Sequence, residues 1–170
     1  MTMDRPDDLG APPPGDVASR LTQAIQGAGP DDVRIRLQVH GGQRTERYDF
    51  SFEVTRRGVA ALELRDELAP QSLEGRQTRD LDPADVNELF TRLNVDELLA
   101  ASDQTPLFPP DSLIGELILS VDGRDIRILF AADQEQAKTA DIEPPPAVAQ
   151  LVDAMYAMAE RSTGGRGLRP

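Results

Sequence analysis

The sequence contains no cysteine, which excludes a disulfide framework and a thiolate metal site. It has one histidine, His40, so a histidine metal site or a serine–histidine–aspartate triad would rest on that residue alone. Lysine occurs once, at Lys138, and arginine supplies the rest of the positive charge. No apolar run approaches the roughly 20 residues that a membrane-crossing helix needs. The opening MTMDRPDDLGAPPPGD is acidic and proline-rich, unlike the basic start and apolar centre of a secretory signal. A cytoplasmic location is therefore expected. Apolar residues make up 39% of the chain, below the roughly 45–50% of globular domains, and flexible ends account for part of the shortfall.

What is present is acid. The 170 residues carry a formal net charge of −12. Free nucleic acid and anionic lipid would be repelled, and a basic partner would be drawn in. Charge of this size also keeps a protein soluble, and that is its commoner use.

The length suits one domain with a real core. Residues 1–15 read as a disordered tail, 16–162 as a single domain, and 163–170 as a flexible tail. Asp16 can cap a short helix with a narrow stripe of Val17, Leu21, Ile25 and Ala28, which must dock on something. In VRIRLQVH, Val33, Ile35, Leu37 and Val39 alternate with polar residues, as in a half-buried strand. YDFSFEV and VAALELR follow the same pattern. A three-residue loop ending at a left-handed Gly58 pairs Phe52 with Leu62 and Phe50 with Leu64. The segment 68–80 reads as polar and irregular. Asp82 then caps a helix that has Pro83 at its first position, with Asn94 interrupting it before Val95, Leu98 and Leu99.

LILSVDGRDIRILF is a hairpin closed at Asp122-Gly123 by a type I′ turn. That turn pairs Val121 with Arg124, Leu119 with Ile126 and Leu117 with Ile128. On the other face it pairs Ser120 with Asp125, Ile118 with Arg127 and Glu116 with Leu129. A last helix follows EPPP, with Val148, Leu151, Val152, Met155, Tyr156 and Ala159 on one stripe. The expected fold is α+β, in the order α-β-β-β-α-β-β-α. It has a single five-stranded antiparallel sheet with helices on one face and water on the other.

Few residues suggest chemistry. Asp80, Asp82 and Asp85 precede a helix, where acids complement the helix dipole without any metal. Glu53, Glu63, Glu116 and Asp125 share the polar sheet face. Carboxylate pairs serve glycoside hydrolysis, but an open face does not desolvate one of them. Cross-strand pairing with Arg34, Arg36, Arg65 and Arg127 is the expected use. The same arginines lack the exposed aromatics of an RNA-binding platform. GGQRTER and GGRG do not open a helix as a phosphate loop must. No catalytic, cofactor or metal residues are assigned.

Four residues are candidates for partner contact. Leu107 and Phe108 stand between prolines in TPLFPP, where Phe108 either folds back on the sheet or joins Leu107 in a semi-rigid apolar finger. Ile118 and Leu129 interrupt the polar sheet face as diagonal neighbours.

Two resemblances bear on function. The stretch from DLDPADVNELF through DGRDIRILF to PPPAVAQLVDAMYAMA resembles the emfourin family of small inhibitors of thermolysin-like metalloproteases. The resemblance implies a proteinaceous inhibitor, and the extra N-terminal helix departs from the family pattern. The element order is similar to the type III secretion chaperone-like fold, whose members are dimeric, acidic and protein-binding. The expected function is a non-catalytic acidic binding or regulatory module, chaperone- or immunity-like. Its expected partner is another protein, basic in character, or a second copy of the chain. A metalloprotease inhibitor and a hydrolase using the acids of the open face are the alternatives.

Overall fold

The structure is a computed structural model, and it describes residues 19–23, 33–41, 48–66, 76–121, 123–164 and 168. Strands β1 (Val33–Gly41), β2 (Tyr48–Thr55), β3 (Val59–Asp66), β4 (Gln77–Asp80), β5 (Leu113–Val121) and β6 (Arg124–Ala131) form one sheet in the order β4-β3-β2-β1-β5-β6. Every neighbouring pair is antiparallel. The helices are α1 (residues 19–23), α2 (Pro83–Thr91), α3 (Val95–Ser102), α4 (Gln134–Ala140) and α5 (Pro146–Ser162).

The alternation in the strands sets which face is buried. Val33, Ile35, Leu37 and Val39 share one face with Phe50, Phe52, Val54, Leu117, Leu119, Ile126 and Ile128. Onto it pack Leu21 of α1, Val86, Leu89 and Phe90 of α2, Leu98 of α3 and the long apolar stripe of α5. The Phe50 ring stacks on Tyr156 with centroids 5.0 Å apart. The expected α+β fold with one antiparallel sheet is therefore present.

The expected register holds. Phe52 lies opposite Leu62, Phe50 opposite Leu64, Leu119 opposite Ile126 and Leu117 opposite Ile128. Gly58 has φ +91°, and its N–H donates to the Thr55 carbonyl at 3.0 Å. Gly123 has φ +76° with open space where a Cβ would stand, whereas Asp122 lies outside the described residues. Gly123→Val is therefore expected to cost about 1–3 kcal/mol from backbone strain alone. A chemical denaturation midpoint equal to the parent's would refute that account of the turn.

The strand count and element order need correcting. Among the described residues the sheet has six strands, not five, because residues 77–80, expected to be irregular, pair with β3 as β4. Gln77 and Arg79 fall on the apolar face at its rim, beside Ser162 and Thr163 at the end of α5. An edge strand bonded on one side needs no apolar alternation, so QTRD carries no strand signal. Two helices also stand where one was expected: α2 ends at Arg92, and the Asn94 side chain caps α3 by accepting from the Glu97 N–H at 3.3 Å. The unexpected α4 is capped by Asp133, which accepts from the N–H groups of Glu135 and Gln136.

At the chain ends, residues 1–15 and most of 163–170 lie outside the described residues, as do Val17, Ile25 and Ala28 of the expected first helix. Leu21 is fully buried in the core cluster, so α1 docks on the sheet's own core. Leu168, in the stretch expected to be loose, is 2% exposed and joins the same cluster.

Candidate functional site

The polar sheet face is built of ion pairs. Arg36, directly opposite Glu53, donates from Nε and Nη2 to the same Glu53 oxygen at 2.9 and 2.5 Å, with Glu53 only 7% exposed. Arg76 lies 3.9 Å from the other Glu53 oxygen. Arg127 bridges Glu116 at 3.0 Å and Asp125 at 3.6 Å, and the Ser120 hydroxyl donates to Asp125 at 2.6 Å. These carboxylates are held by guanidinium groups, as cross-strand pairing requires. His40 is exposed at the end of β1. Asp82 caps α2, accepting from the Ala84 N–H at 2.9 Å. Among the described residues, no three acidic or histidine side chains stand together as metal ligands, and no helix is long and apolar enough to cross a membrane.

Ile118 does not form an exposed patch. It is 5% exposed, between Arg36 on β1 and Arg127 on β6 at directly paired positions. Long arginine stems beside an apolar residue exclude water while their charged ends stay wet. Ile118 is thus removed from the surface candidates. Its diagonal neighbour Leu129 is half-buried and belongs to a different setting, the free edge of β6.

That edge follows from the hairpin register. Just beyond β6, the Ala132 N–H donates to the Leu113 carbonyl at 3.0 Å. Bonded and non-bonded pairs alternate along an antiparallel ladder. The backbone groups of Arg124, Ile126, Ile128 and Phe130 are therefore bonded to β5, and those of Asp125, Arg127 and Leu129 point away from the sheet. Among the described residues, no backbone group pairs with these three across the edge.

A cavity of about 270 Å³ lies against this edge. Ile128, Leu129 and Phe130 form one wall; Ala101 of α3 with Gln104, Thr105 and Pro106 forms a second; the segment from Asp141 to Pro145 forms a third. The walls are held in place locally. Asp103 and Gln104 N–H groups cap the last turn of α3, and Asp141 ends α4 in a left-handed conformation, φ 55°. After Pro106 the chain crosses to β5 through Leu107, which is 89% exposed, and Phe108, which is half-buried. Ser112 donates to the Pro109 carbonyl at 2.5 Å and Asp111 takes φ 61°, so the far end of this loop is a tight turn. Leu107 is the one large apolar side chain so exposed among the described residues.

The sequence candidates are therefore divided. Leu129 lines the cavity, Leu107 is exposed in the loop that continues from the lining residue Pro106, Phe108 is half-buried, and Ile118 is covered. Gln104, Ile142 and Pro144 escaped sequence reading, because isolated residues in connecting segments carry no periodic signal. Chemically the site offers apolar contact and backbone hydrogen bonding. The nearby Ser102 and Ser112 hydroxyls are donated to backbone carbonyls. No protein-family model matches this chain, and no curated protein is significantly similar to it.

Proposed function

We propose that the chain is a non-catalytic module that binds another protein, and that the contact is made by Leu107 and the groove beside β6. The observation that carries this reading is Leu107, a large apolar side chain held in water one residue beyond Pro106, which lines the groove. A net charge of −12 favours a basic partner by steering its approach. A photo-reactive residue in place of Leu107 is expected to crosslink one protein of defined mass in host cells. The same label at Gln150, exposed on α5, is expected not to. Identical products from both positions, or none from position 107, would end this reading.

A further inference from the structure

We propose that the occupant of the β6 edge is an extended basic segment of a partner protein, bound as a seventh strand of the sheet; this rests on the binding reading above and specifies its geometry. Three backbone N–H groups and three carbonyls, those of Asp125, Arg127 and Leu129, point off the edge in strand geometry. An extended chain satisfies such groups in alternation and places successive side chains on opposite faces.

The cavity gives that chain somewhere to lie. It runs along Ile128 to Phe130 and stays open because Pro106 and Pro144 stand on either side without closing on the strand. Proline has no N–H, so neither residue can donate to β6 and cap it from within. The opposite edge of the sheet is different: β4 has four residues, three of them exposed, and is too short to template a partner.

Charge decides the composition of the occupant. Asp141 and Glu143 line the cavity, and among the described residues no lysine or arginine does. On β6 itself Arg127 is already bridged to Glu116 and Asp125. A second copy of the chain would bring another net charge of −12 to the same place. A segment alternating apolar residues with lysine or arginine fits the apolar walls and the acids together.

The probe is a fluorescent peptide of sequence Lys-Val-Lys-Val-Lys-Val-Lys with blocked ends, titrated with the full chain and read by anisotropy. Binding is expected, and the matching Glu-Val peptide is expected to bind at least about tenfold more weakly. Leu129→Pro removes one outward N–H without removing a bond to β5, and is expected to weaken binding by about tenfold or more. A second measurement does not depend on how that variant folds. The Lys-Val peptide is N-methylated on every second amide in each of the two phases; one phase should bind and the other should not, because a strand bonds through alternate residues. Equal binding by both phases, equal binding by the acidic peptide, or no binding at all overturns the proposal. So does a wild-type dimer that Leu129→Pro dissociates, which would put a second copy on the edge. A crosslink from position 107 alongside any of these results leaves the wider binding reading standing and removes only the added strand.

Discussion

Phe130→Ala is expected to lower stability by about 3–5 kcal/mol, because it empties a buried aromatic site. In a chain of this length that is a fall of about 6–20 °C in melting temperature. The ring does more than fill volume. It lies across from Gly115, and a Cβ built on that glycine would stand 2.1 Å from Cζ of Phe130. Gly115 is thus the hollow that lets the ring lie flat on β5, the arrangement by which an aromatic neighbour covers a glycine in a sheet. Gly115→Ala should cost about 1–3 kcal/mol by overpacking. The double variant should cost clearly less than the sum, since the alanine methyl then enters space the ring has left. Additive losses, measured by denaturant unfolding of the two single variants and the double variant, would show that the two sites act independently.

Leu21→Ala should cost about 2–5 kcal/mol. Leu21 is fully buried in the main core cluster although its helix precedes β1 in the chain. Its loss would leave a cavity between α1 and the layer beneath. A melting curve that matched the parent's would mean that α1 is not held by the core.

The parts of this fold legible from sequence are those fixed by neighbours in the chain. The β5–β6 register follows from Gly123 and from alternation on both sides of it. The start of α2 follows from Asp82 and Pro83, which act within one turn. β4 was illegible because its pairing is made by backbone alone, and α4 because seven residues with Ala137 as the one buried side chain show no stripe. The candidate site was half legible. The apolar residues between prolines marked the loop, but only the tertiary structure separates an exposed Leu107 from a half-buried Phe108. The burial of Ile118 likewise depends on Arg36, which lies far away in the chain and arrives only when β1 pairs with β5.

That β1–β5 pairing also bears on how the molecule forms. Strands β1 to β4 connect in sequence order as one meander, and β5 and β6 as another hairpin, so each block can assemble from local contacts. The seam between them joins Gly41 to Leu113 and Val33 to Val121, across everything that lies between. Closing so long a loop costs entropy before its contacts are made, and nonlocal strand pairing of this kind slows folding. The zipping of the two half-sheets along β1 is therefore expected to be the slow event in folding, and until it happens the inner edges of β1 and β5 are open to the wrong strand.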